Sequence, residues 1–231
     1  MNKITVQMNL FERIAGWSYL FLQLLVLPVL LVLVNVKLGS PLSEGQLNGA
    51  LFIINFVAVS AIFHRYLIRN GVTGFSRPGR MFATIGICFG AYQIMNMGLT
   101  FVIGIISPDF FNVNDDAISG MVKENPLLLI IGTSFLVPMV EEVLYRGLVF
   151  RTLYNRSKMA AYVISVVIFG ALHVVGYITM YEPLQLLLCF LQYIPAGICL
   201  GFAYANTDSI WTPILMHMTI NLMGSVAMIG G

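Results

Sequence analysis

The sequence predicts an all-α polytopic transmembrane bundle of about seven spans, and three observations predict it. Of the 231 residues, 58% are hydrophobic and only 10% charged, with a mean hydropathy of +0.88. A soluble domain of this size carries about a quarter charged residues, so lipid must cover much of this surface. Apolar runs recur near 16–36, 47–68, 82–106, 126–150, 159–180, 184–204 and 209–229. Each suits a ~30 Å hydrocarbon core, which takes about 20 helical residues. Finally, the basic residues gather in alternate connections, as the loops of a multi-pass protein do.

The first run follows Lys3 and Arg13 as a signal peptide would, but it is long and no small-residue cleavage site comes after it, so it is expected to stay as the first helix. Arg65, Arg69, Arg77 and Arg80 share the connection after the second run, and Arg151, Arg156 and Lys158 the one after the fourth. The positive-inside rule makes that side cytoplasmic. Ser107–Asn125, an acidic loop on the opposite side, carries Asp109, Asp115, Asp116 and Glu124 against Lys123. The expected topology in the plasma membrane therefore has the N-terminus inside and the C-terminus outside. Short turns around Glu182 and Asp208 make the last spans antiparallel neighbours. Residues 1–125 are expected to form N-terminal transmembrane helices with the acidic external loop, and residues 126–231 the core that carries chemistry.

The formal net charge of +2 has no stripe of basic residues behind it, which excludes nucleic acid as a partner and leaves membrane lipid. Cys88, Cys189 and Cys199 are odd in number, show no C-x-x-C spacing and read as small buried hydrophobes. Asp115-Asp116 reads as solvated surface, His64 beside Arg65 as an interfacial anchor, and Trp17 and Trp211 as span-end aromatics.

Ionisable groups at mid-membrane depth cost about 2.5–3.5 kcal/mol each on insertion scales, so each needs a partner or a function. Glu141, Glu142 and Arg146 lie in the fourth run, His173 in the fifth, and His217 with Asn221 in the seventh. At ~1.5 Å per residue, Glu141 lies about 15 Å from Arg151, His173 about 22 Å from Lys158, and His217 about 14 Å from Asp208. Three helices thus deliver titratable groups to a similar level. Glu142 and Arg146 are spaced i,i+4 with the carboxylate first, the favourable order for an intrahelical ion pair. Glu141 is turned ~100° from that pair, with Tyr145 one turn on as a candidate hydrogen-bond donor. Pro138 removes a donor to the carbonyl of Ser134 and is expected to bend the helix just before the pair. His217 and Asn221, also i,i+4, suit donation to an oxyanion, and His173 suits holding a water and shuttling its proton.

The set Glu141-Glu142-x-x-x-Arg146, Phe169-x-x-x-His173 and His217-x-x-x-Asn221, in that order on separate apolar helices, resembles the CAAX-processing and bacteriocin-processing intramembrane endopeptidases, the Abi or lysostaphin-resistance-like family. The surrounding stretches EEVLYRGLVF, ISVVIFGALH and LGFAYANTDSIWTPILMHMTINL agree. The resemblance covers roughly residues 126–225. It implies a protease in which Glu141 and His173 activate water and His217 and Asn221 stabilise the oxyanion, with Glu142, Arg146, Tyr145 and Phe169 in support. Its substrate would be a membrane-associated peptide or a lipidated protein. No cofactor is expected. Glu141, His173 and His217 also make a carboxylate-plus-two-His set of the kind that holds catalytic Zn²⁺, which stands as the alternative, although no H-E-x-x-H fixes two ligands on one helix. A non-catalytic immunity or scaffold protein is the other reading of the same polar cluster. A transporter is disfavoured, since no internal repeat is visible.

Overall fold

A computed structural model describes residues 4–124 and 126–230. Among these lie eight helices: α1 (Leu10–Lys37), α2 (Glu44–Phe75), α3 (Pro78–Ile106), α4 (Val113–Glu124), α5 (Pro126–Tyr154), α6 (Lys158–Tyr177), α7 (Pro183–Thr207) and α8 (Trp211–Gly230). No strand occurs among the described residues. Six helices are long and apolar enough to cross a membrane. The last predicted run is α8, whose 20 residues extend about 30 Å at 1.5 Å per residue.

Local signals set the helix starts. Asn9 and Glu12 form a capping box before α1, and Ser43 and Gln46 form another before α2, each satisfying orphan backbone N–H groups. Proline opens α3 and α7 at positions where its missing N–H costs nothing. Two expectations are corrected here. Arg65 and Arg69 lie on the last turns of α2 and not in a loop, because α2 runs on to Phe75. Arg69 pairs with the buried Glu12 at 2.9 Å and so ties α2 to α1. The acidic connection Ser107–Asn125 is mostly the helix α4, started by Asn112, whose side-chain oxygen accepts the N–H groups of Asn114 and Asp115. Asn125 lies outside the described residues.

The ends expected to share one side of the membrane do meet. Asp208, in the left-handed region that Asp tolerates (φ 55°), accepts hydrogen bonds from the backbone and hydroxyl of Thr5. Arg80 reaches the carbonyl of Asn206, Asn155 that of Ile4, and Asn70 accepts the N–H of Ile210. Trp211 is held by the carbonyl of Leu67 at 3.0 Å, so it is a packing residue as well as a span-end aromatic. His64 is exposed and bonds only within its own helix turn, as an anchor would. The three cysteines are free and buried.

Helix α5 is the centre of the bundle. All nine residues from Glu142 to Phe150 are buried, whereas α3 and α1 present Phe82, Ile87, Ile94, Phe101, Leu25 and Leu33 outward as lipid-facing side chains do. A helix surrounded by protein is the one place in a membrane where charged side chains can be fully partnered. Close packing around it uses glycine. A Cβ on Gly170 of α6 would lie 2.9 Å from the Phe190 ring and 3.3 Å from the Phe190 carbonyl of α7. Backbone cannot swing aside, so Gly170→Ala is expected to lower stability by about 1–3 kcal/mol. Thermal unfolding in detergent, read against Gly176→Ala at a position with open space around it, measures the loss.

Candidate active site

Helix α5 reaches the site in an unusual register. It widens to π-helical turns over Gly132–Leu136 and Glu142–Phe150, on either side of a short α-helical stretch that holds Pro138. The N–H of Val137 bonds the carbonyl of Gly132, five residues back. In that register the donor due to Thr133 belongs to Pro138, which has none. The carbonyl freed is that of Thr133, where an ordinary α-helix would free that of Ser134. Asn221 of α8 takes it, donating from Nδ2 at 2.8 Å. The proline therefore docks α8 against α5, and the second N–H of the Asn221 amide remains available.

The two adjacent carboxylates have opposite environments. Glu142 is fully buried, and its Oε1 accepts both Arg146 Nη1 at 3.0 Å and His217 Nδ1 at 2.9 Å. The expected i,i+4 pair is formed, and the Arg146 guanidinium also lies 4.5 Å over the Phe169 ring. Glu141 is 16% exposed, and its buried Oε2 has no hydrogen-bond partner among the described residues. His217 faces it with Nε2 at 3.9 Å, too long for a hydrogen bond but within reach of one shared water. Tyr145, expected as a donor to Glu141, lies within electrostatic reach of that carboxylate and of Gln23 of α1, and sets its ring edge 6.5 Å from Phe169.

Partners determine which ring nitrogens carry protons. The Phe169 carbonyl can only accept, so His173 Nδ1, 2.7 Å away, must donate, and the neutral ring keeps its lone pair on Nε2. Glu142, already accepting from Arg146, likewise makes His217 Nδ1 a donor. His217 therefore leans on Glu142 and not on Asn221, whose side chain reaches Thr133. Phe169 is the hub of the cluster: its ring meets His173 at 4.7 Å, His217 at 5.6 Å, Tyr193 at 6.1 Å and Tyr145 at 6.5 Å. His173 lies within electrostatic reach of Glu141 and His217. Seven of the eight residues singled out in the sequence thus gather where α5, α6 and α8 meet, and Asn221 lies one turn further along α8, against Thr133 of α5.

Among the described residues, no three His, Cys, Asp or Glu side chains are grouped closely enough to hold a metal ion. Glu141, His173 and His217 as arranged do not fit a three-ligand zinc site. Sequence reasoning missed Thr133, Gln23, Asn112 and Tyr193. Of these, Asn112 had a local signal as the capping residue of α4, and Tyr193 had another, the break that Pro195 forces two residues later in LQYIP.

Residues 123–223 match the family model described as type II CAAX prenyl endopeptidase Rce1-like. A Bacillus subtilis (strain 168) protein named "Putative membrane peptidase YdiL" is 34% identical over 109 residues, 47% of this chain and 40% of that protein. The chain thus spans about two-fifths of the length of this curated relative. No solved structure matches. The family match and the three motifs fall on the same helices, α5 to α8, so the resemblance read from the motifs holds: this segment is similar to the Rce1-like CAAX endopeptidases.

Proposed function

We propose that the protein is an intramembrane endopeptidase that hydrolyses a peptide bond of a membrane-associated peptide or protein with glutamate-activated water. One observation carries the reading: of two neighbouring carboxylates, Glu142 is fully buried with its Oε1 engaged by both Arg146 and His217, while Glu141 is partly exposed and lies 3.9 Å from His217 Nε2 with no hydrogen bond to its Oε2 among the described residues. Such a carboxylate, partly exposed and facing two imidazoles, suits a general base.

In this mechanism Glu141 takes a proton from water as its oxygen attacks the scissile carbonyl carbon. His173, with its Nε2 lone pair directed away from the Phe169 carbonyl, holds that water and carries a proton to the leaving amine as the C–N bond breaks. The oxyanion is met by the free N–H of the Asn221 amide and by His217 Nε2. Since Nδ1 of His217 already donates to Glu142, Nε2 donates to the oxyanion when the ring carries its second proton. The zinc alternative is tested by elemental analysis of purified protein together with chelator treatment; stoichiometric zinc lost along with activity would replace this mechanism.

Positive-inside asymmetry supports a cytoplasmic N-terminus and a plasma-membrane location, and the meeting of Thr5, Arg80, Asn155 and Asp208 on one end of the bundle agrees with it. The test of function uses protein reconstituted in liposomes with a reporter peptide carrying a hydrophobic anchor. Cleavage by the parent chain and its loss in Glu141→Gln are the expected results; cleavage that survives in the variant overturns the glutamate mechanism.

A further inference from the structure

His173 is the only site imidazole that no carboxylate holds by a hydrogen bond among the described residues. Its Nδ1 is fixed by the Phe169 carbonyl, but one contact at one atom leaves the ring free to tilt. A second element supplies what is missing. Tyr193 lies flat against the imidazole, with centroids 4.0 Å apart and planes 24° apart, while Phe169 covers the ring at 4.7 Å with a tilt of 58°. Tyr193 can do this because α7 breaks there: the missing N–H of Pro195 leaves the Leu191 carbonyl without its helical donor, and Tyr193 closes the first segment.

The tyrosine is itself held. Its hydroxyl donates to Asn112 Oδ1 at 3.2 Å, the same oxygen that accepts the first N–H groups of α4. Asn112 Nδ2 in turn donates to Gln192 Oε1 at 2.8 Å, so the amide cannot rotate without losing bonds on both sides. A continuous chain of contacts therefore runs from the start of α4, the helix on the acidic side of the membrane, through Asn112 and Tyr193 to the His173 ring.

We propose that Tyr193 is a positioning residue for His173, that Asn112 fixes Tyr193, and that the α3–α4 connection thereby sets the geometry of the site. The proposal rests on the peptidase reading above for its kinetic consequence, though not for its geometry. A displacement of about 1 Å at a reacting group costs about 10²-fold in rate. Tyr193→Leu, which loses the stacked ring, is expected to lower kcat by about that factor with KM nearly unchanged. Tyr193→Phe, which keeps the ring, restores most of the loss. Asn112→Ala lowers kcat moderately in the parent chain and less in the Tyr193→Phe background, where its bond to the tyrosine hydroxyl is already gone and only its cap on α4 and its bond to Gln192 are lost.

A second readout needs no turnover. Diethylpyrocarbonate attacks the unprotonated Nε2 of histidine, and its rate at His173 is followed by peptide mass spectrometry in the folded protein. Uncovering one ring face should raise that rate several-fold in Tyr193→Leu and little in Tyr193→Phe. If Tyr193→Leu does not fold, Asn112→Ala with and without Tyr193→Phe decides the matter. Unchanged labelling in Tyr193→Leu, or equal effects of Asn112→Ala in both backgrounds, overturns the proposal. Cleavage that persists in Glu141→Gln while labelling changes as expected overturns the peptidase mechanism and leaves the positioning intact.

Discussion

Glu141→Gln lowers kcat by about 10²–10⁴-fold, the span that a positioned general base contributes, with little change in KM. Glutamine keeps the volume and the branching of the side chain, so the packing among α5, α6 and α8 is preserved. What disappears is an oxygen able to take a proton. The same change should not destabilise the protein. Glu141 Oε2 is buried with no hydrogen-bond partner among the described residues, and an unsatisfied buried polar atom costs about 1–3 kcal/mol. Exchanging a carboxylate for a neutral amide relieves part of that cost, so the melting temperature in detergent is expected to stay level or rise. A residue that stabilises the protein when its charge is removed is one retained for activity. The scaffold reading makes the reverse prediction, with function intact and stability lower.

The ion pair and the convergence of three helices are legible in the sequence because both depend on local geometry. Spacing of i,i+4 dictates that Glu142 meets Arg146, and a count of residues from the loop charges puts Glu141, His173 and His217 at similar depth. The family match covers the same helices. What stays illegible depends on register or on distant partners. The consequence of Pro138 falls on Thr133 instead of Ser134, since the π-helical turn before it shifts the bonding by one residue. The approach of Gln23 on α1 to Tyr145, more than a hundred residues away, follows no local pattern. The helix α4 hides in a polar segment with little apolar periodicity, where Asn112 is the one clear start signal. His217 is read from spacing as a partner of Asn221, yet the facing carboxylate of Glu142 attracts it more strongly than a neutral amide on its own helix could.

Glu142→Gln, one residue along and chemically identical, is expected to do the opposite of Glu141→Gln. Glu142 Oε1 is the shared acceptor of Arg146 and His217, both buried, and Arg146 is fully so. Neutralising it strands a guanidinium in the protein interior. Breaking one partner of a buried pair costs about 3–5 kcal/mol, a large share of the stability of any single domain. The Phe169 ring 4.5 Å from the guanidinium recovers about 2 kcal/mol of that, less than the loss of the carboxylate. Urea or thermal unfolding in detergent measures the loss, which should exceed that of any other single substitution considered for this chain. Pairing the change with Arg146→Met separates the two roles of Glu142. Removing both charges often restores stability, because the cost of burying them goes as well. Turnover should not return, since His217 Nδ1 still lacks the carboxylate that holds the ring and aims Nε2 at the oxyanion. A double variant that regains both stability and cleavage would reduce Glu142 to a strut and move the role of His217 elsewhere.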